Sequence, residues 1–170
     1  PPHVSFITAG KFVEDKVGWI RKQQEKISRL ENRITLFKQD TVFRTKDHVL
    51  SLGTHEKSTI QAVIRNQVIR INYPEYANVE DPRIQQVIRR AIHAALKMEA
   101  VKYLPALTQK MARELGFSYS QVAVRNNRTR WGSCSGRNRI ILNIHMMRLP
   151  QHLQEYIVLH ELCHTVHKHH

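Results

Sequence analysis

Apolar and polar positions along this chain follow two rhythms, and the switches between them mark its parts. Val4 to Thr8 reads as a short strand, and Val13, Val17, Ile20, Ile27 and Leu30 then recur at roughly helical spacing within Phe12 to Leu30. Gly18 weakens that helix slightly, and the run Arg21 to Lys26 is a solvated face. The middle of the chain changes to the strand rhythm. Thr41 to Arg44 and His48 to Leu52 flank a turn at Thr45-Lys46-Asp47, and Thr59 to Ile64 and Val68 to Tyr73 flank one at Arg65-Asn66-Gln67. Val63, Ile64, Val68, Ile69 and Ile71 supply the β-branched side chains that suit a pleated surface, and Arg65 and Arg70 among them predict a sheet with one wet face. His48 and His55 have no partner at ligand spacing and are expected at the surface.

The helical rhythm returns after Asp81-Pro82, a cap followed by proline in the first turn. Ile84, Val87, Ile88, Ala91, Ile92, Ala95 and Leu96 form an amphipathic stripe, with Arg89 and Arg90 facing outward. Pro105 is expected to kink or interrupt this helix, leaving a second one from Ala106 to Leu115 that stops at Gly116. Strands follow over Gln121 to Arg125 and Arg139 to Leu142, and Gly132 and Gly136 between them predict a hairpin or bulged edge. After Pro150, the residues Leu153, Tyr156, Ile157, Val158 and Leu159 are apolar almost all round, as in a buried helix. The organisation read from these patterns is a strand–helix–hairpin region over 1–75 and a second region over 76–170.

Composition adds little until charge is counted. The 170 residues hold 27 Lys and Arg against 14 Asp and Glu, a net charge of +13. No acidic residue stands between Leu115 and Gln154, whereas Arg125, Arg128, Arg130, Arg137, Arg139 and Arg148 all do. Such a field favours polyanions, so nucleic-acid contact through the Arg125–Arg148 region is one expectation. No apolar run approaches the ~20 residues of a membrane helix, and no signal-peptide pattern opens the chain. Cys134 and Cys163 do not make a disulfide framework, so the expected compartment is cytoplasmic and Cys163 a small buried hydrophobe. Pro1 is no natural initiator, and a longer native protein is expected at both ends.

The candidate chemistry lies at the end of the chain. His160-Glu161-Leu162-Cys163-His164 is an H-E-x-x-H sequence running on from the apolar helix. Two histidines four apart on a helix share a face and can bind one metal ion, and the glutamate between them is placed to reach a water without being a ligand. A hydrolytic zinc site takes three protein ligands and leaves a fourth position open. His170, ten residues after His160, is the best third ligand and His169 the runner-up. His167 would stand too far along the axis if the helix continued that far. Ser133 and Cys134 lack the surroundings of a nucleophile.

Arg130-Trp131-Gly132-Ser133-Cys134-Ser135, then Ile141-Leu142-Asn143, Pro150 and Tyr156 to His164, stand together in one order. In this the chain resembles the YgjP-like family of predicted metal-dependent hydrolases, zincins akin to the SprT and WLM metallopeptidases. The likeness is most specific over 125–170, and looser at the front, where Phe12-Val13 and Trp19-Ile20-Arg21-Lys22 match the family's first helix. It implies an α+β zincin-like domain, with a small mixed sheet beside the H-E-x-x-H helix, preceded by an N-terminal helix and a hairpin-rich segment. It further implies Zn²⁺ on His160 and His164, with Glu161 as general base. A family histidine ten residues after the first ligand, usually preceded by asparagine, matches His170, with His169 in the asparagine's place.

The function expected is therefore a zinc-dependent metallopeptidase hydrolysing peptide or protein substrates. An extended peptide would lie along the Trp131-Gly132-Ser133 edge. His145 and Tyr156 are available to stabilise an oxyanion. Two alternatives stand beside this: a basic nucleic-acid-binding module with a degenerate H-E-x-x-H, and a DNA-associated protease of the SprT kind.

Overall fold

The computed structural model describes residues 36–167. The strand expected at Val4 to Thr8, the helix at Phe12 to Leu30, and the candidate ligands His169 and His170 lie outside the described residues. Phe37–His170 group as one unit of the chain.

Its first layer is a three-stranded mixed sheet, β1 (Val49–His55), β2 (Gln61–Arg65) and β3 (Val68–Pro74), in the order β1-β3-β2. β3 runs parallel to β1, with Val49 opposite Val68, and antiparallel to β2, with Arg65 opposite Val68. That last pair leaves Asn66 and Gln67 as the turn, at φ 49° and 62°. Two successive left-handed residues match the twist of a hairpin, so the turn is a residue shorter than the sequence suggests. Ile69 and Ile71 are buried while Arg70 is exposed, which is the expected one wet face.

The hairpin expected over 41–52 is cut short. The Thr45 amide donates to the His48 carbonyl at 2.8 Å and the Leu50 amide to that of Phe43 at 2.9 Å, around a single antiparallel bridge from Arg44 to Val49, and no strand precedes β1 among the described residues. A buried carboxylate from far along the chain holds the turn. Glu99, 1% exposed, accepts from the amides of Lys46 (3.2 Å) and Asp47 (2.9 Å), the Thr45 hydroxyl and His48 Nδ1 (2.7 Å). This corrects the surface reading of His48, which is buried because a desolvated carboxylate needs donors. His55 stays partly exposed, with Nε2 2.7 Å from the Thr59 carbonyl.

Helix α1 (Pro82–Leu115) spans 34 residues and contacts strands of both sheets, β2 and β3 of the first and β4 of the second described below. Asp81 Oδ1 accepts from the Arg83 amide at 2.8 Å and Pro82 opens the first turn, as expected. Gly116, at φ 75°, closes it by donating to the Ala112 carbonyl. Ile84, Ile88, Ala91, Ile92, Ala95 and Leu96 are buried, and Val87 is half-buried. Pro105, however, does not divide the helix. A proline removes one N–H, whose acceptor four residues back would be Val101; Val101 is exposed, so water can serve its carbonyl and the flanking turns persist.

The second sheet repeats the plan of the first. β4 (Gln121–Arg125), β5 (Gly132–Cys134) and β6 (Arg139–Asn143) lie in the order β4-β6-β5, with β6 parallel to β4 and antiparallel to β5. Ile140 and Leu142 of the central strand are fully buried. A 3-10 helix (Ile144–Arg148) leads to α2 (Gln151–Cys163), which contacts α1, β5 and β6. The chain is thus α+β, with two small mixed sheets. Among the described residues, no helix is long and apolar enough to cross a membrane.

Candidate metal centre

α2 starts where Pro150 frees the chain from the 3-10 helix, and Gln154 closes the joint by donating to the Leu149 carbonyl at 2.8 Å. Its inner face carries Ile157, Val158, Glu161 and Leu162, all buried. Tyr156, His160 and His164 follow one another at four-residue steps and are each half-buried. The Tyr156 and His160 rings stack at 6.4 Å and 20°, and the His160 and His164 rings meet edge to face at 4.5 Å.

The two imidazoles point their Nε2 atoms at one another across 3.0 Å. The helix ends at Cys163, yet His164 still donates its backbone N–H to the His160 carbonyl, so the pair keeps helical register. The chain then folds through Thr165 and Val166, and the His167 carbonyl comes to 3.2 Å from His164 Nδ1. A carbonyl only accepts, so Nδ1 carries the proton and Nε2 presents a lone pair towards His160. Since the helix stops before His167, that residue contributes its carbonyl here, and its side chain is exposed.

This donor pair fits a metal ion. Zinc–nitrogen bonds of about 2.0–2.1 Å at a tetrahedral angle place two ligating nitrogens roughly 3.3 Å apart, a few tenths of an ångström beyond the spacing seen. Among the described residues, no group of three His, Cys, Asp or Glu side chains forms a metal cluster. His160 and His164 are two such side chains whose Nε2 atoms converge.

Glu161, about 100° round the helix from His160 and about 60° from His164, is 5% exposed. Burial pushes its carboxyl up to about 7, and the positive charge of Arg130 pulls the other way. What buries it is β5. A Cβ placed on Gly132 would lie 2.5 Å from Glu161 Oε1 and 2.7 Å from its Cγ, so only glycine lets the strand come this close. Sequence reasoning attributes Gly132 to tight backbone geometry, but its φ is not left-handed; the demand is for close approach. Gly132 pairs with Leu142, Ser133 with Ile141 and Cys134 with Ile140, and the far side of β5 is a sheet edge among the described residues. Trp131, Gly132 and Ser133 thus lie beside α2, half-buried.

The remaining candidates separate. Tyr156 lies beside the histidine pair through its ring stacking, and burial pushes its phenol up. His145 faces elsewhere, with Nε2 3.1 Å from Asn126 Oδ1 and its ring 5.8 Å from that of His93. Cys163 is half-buried and its thiol is pushed up by burial, which suits an inert side chain. The register places Arg125 and Arg139 at opposite ends of the second sheet, so the arginines close in sequence are divided in space. Of the two side chains expected to be available to an oxyanion, Tyr156 is the one beside the pair. The His167 carbonyl is the contributor that pattern reading missed, since a backbone carbonyl leaves no signal in the sequence.

A helix that presents two converging imidazoles beside a buried carboxylate and a sheet edge defines the class of metal-dependent hydrolases. The chain belongs to the YgjP-like family, whose metallopeptidase domain matches residues 1–170. No curated protein and no solved structure matches it. Family membership makes this a metallopeptidase domain, a hydrolase with a metal cofactor and peptide or protein substrates.

Proposed function

We propose that this domain is a zinc-dependent peptidase in which His160, His164 and His170 hold the metal, Glu161 is the general base, and the Trp131-Gly132-Ser133 edge seats the substrate. The observation that carries this reading is the pair of Nε2 atoms at 3.0 Å with the Glu161 carboxyl held against Gly132 of an edge strand. Three imidazoles suit zinc among the common divalent ions.

When bound, zinc supplies Lewis acidity, which acidifies water and polarises a carbonyl oxygen. The chain's own part is to place and move a proton. Glu161 Oε takes the proton of the attacking water and returns it to the amine that leaves. A carboxyl raised towards neutrality by burial does both near pH 7 better than an ordinary one. β5 lies at the edge of its sheet among the described residues, and an extended peptide adds to such an edge as a further strand. Tyr156, beside His160, is the side chain placed to donate to an oxyanion.

The test is elemental analysis of protein extended beyond His170 and purified without a metal column. About one zinc per chain is expected, lost in His164→Ala and in His170→Ala but kept in His169→Ala. Glu161→Gln should keep the zinc and lose roughly 10²- to 10⁴-fold in peptide turnover. No bound metal after zinc is supplied, or full turnover by Glu161→Gln, would overturn the reading.

A further inference from the structure

We propose that Asn143 is a positioning residue of this site: it pins the loop between β4 and β5, and so sets the edge strand at its working distance from Glu161. The proposal rests on the peptidase reading, since the edge strand is taken as the substrate's seat.

Asn143 is the last residue of β6, 4% exposed, and its side-chain amide and backbone N–H are all bonded locally. Its Nδ2 donates to the carbonyls of Asn127 and Arg130, both at 2.8 Å. Its backbone N–H donates to the Trp131 carbonyl at 2.8 Å, and its Oδ1 accepts the His145 amide at 3.1 Å, capping the 3-10 helix. Three of these four bonds hold the loop that feeds β5. The residue after Trp131 is Gly132, which has no slack against Glu161. Any drift of the loop therefore moves the substrate edge and the base relative to each other.

The residue type follows from this geometry. Two carbonyls three residues apart need two donors on one short side chain, and an amide has them. Aspartate has the acceptor for the cap but no donor when ionised. Serine can cap the 3-10 helix but cannot hold both carbonyls. Glutamine is a methylene too long for a residue that must also cap. The apolar core beside it, Leu142 and Ile144, does not depend on these bonds.

The discriminating variant is Asn143→Ser, which keeps a cap acceptor and cuts the loop bonds. Amide hydrogen exchange over 127–134 should rise on the order of ten- to a hundredfold, with exchange in β4 and β6 little changed. With a quenched fluorescent peptide that the wild-type zinc protein cleaves, KM should rise roughly tenfold and zinc content should hold. A merely structural role would lower the active fraction and kcat and leave KM in place. Unchanged exchange over 127–134 with unchanged KM overturns the proposal, as does a rise spread equally over β4.

Asn143→Asp gives a second reading that needs no catalysis. Its acid form can donate to one carbonyl and its ionised form repels both, so loop exchange, corrected for intrinsic rate, should rise with pH in this variant and stay level in wild type. A level profile in both overturns the pin. Wild-type protein that binds zinc and cleaves no peptide overturns the peptidase reading instead, while the exchange data still judge the pin.

Discussion

The two sheets have one plan and two uses. In each, the third strand lies in the middle, parallel to the first and antiparallel to the second, and the second strand is the antiparallel edge. In the first sheet that edge is β2, whose Val63 is 56% exposed. In the second it is β5, shorter, half-buried, and drawn against the H-E-x-x-H helix. Topology alone does not make a site here. What differs is the contact: Gly132 of the edge strand lies directly against the Glu161 carboxylate of the facing helix.

The strongest way to break this comparison is to exchange what the two glycines tolerate. A Cβ on Gly132 meets Glu161 Oε1 at 2.5 Å, whereas one on Gly53 of β1 meets only the tip of the Asn72 side chain, at 3.0 Å. Gly132→Ala must displace the base or the strand, and a misplacement near 1 Å costs about a hundredfold in turnover. Gly53→Ala should leave kcat/KM within about twofold, because a flexible side-chain end can yield. Peptide kinetics on the two variants, with zinc content as control, checks both. Equal losses would show that the close approach at Gly132 has no special role.

That contrast also explains what the sequence could show. Patterns confined to one element were legible: the stripe on α1, its caps at Asp81 and Gly116, the alternation in β3, and the H-E-x-x-H run on α2. Features that depend on distant partners were not. Glu99 lies 51 residues from His48, and no periodicity links them. Pro105 breaks a local rule that tertiary packing of the surrounding turns overrides. β5, three residues long, is too short to show a period, so the contact of Gly132 with Glu161 was hidden although the strands at Gln121 and Arg139 were legible. The His160 and His164 pair was readable in sequence; the strand packed behind Glu161 was not. The candidates for a third ligand, His170 and His169, lie outside the described residues.

A smaller effect separates the two hairpins. Gln67 holds φ 62° in the first, a conformation that disfavours side chains other than Asn and Asp, whereas the residue at φ 57° in the second is Asn138. Gln67→Gly should therefore stabilise the protein by about 1 kcal/mol, creating the Asn-Gly pair that this turn prefers. Asn138→Gly should gain less, because asparagine already tolerates the region. Chemical denaturation of both variants reads the difference. A gain at Asn138 equal to that at Gln67 would show that the tighter turn of the first sheet stores no extra strain.

The smallest effect is one of pH, and it concerns how the first sheet is tied to α1. Asp47, in the turn before β1, accepts from Lys102 Nζ at 2.9 Å and from the Tyr103 hydroxyl at 2.7 Å. The hydrogen bond from Lys102, then that from Tyr103, hold its carboxyl below the ordinary value of 3.8. A carboxylate whose folded pKa lies below its unfolded one binds fewer protons when folded. It therefore contributes stability in full above the unfolded pKa, and loses it as pH falls through the folded one. The pair is partly solvated, so the contribution is small and screened by salt. The difference in denaturation midpoint between wild type and Asp47→Asn, both metal-free, should be constant from neutrality to about pH 4 and shrink below it. In hydrogen exchange the acid-dependent step should centre on the turn before β1 and the facing turn of α1, which Asp47 joins. A midpoint difference that persists undiminished at pH 2 would show that Asp47 acts through its hydrogen bonds alone.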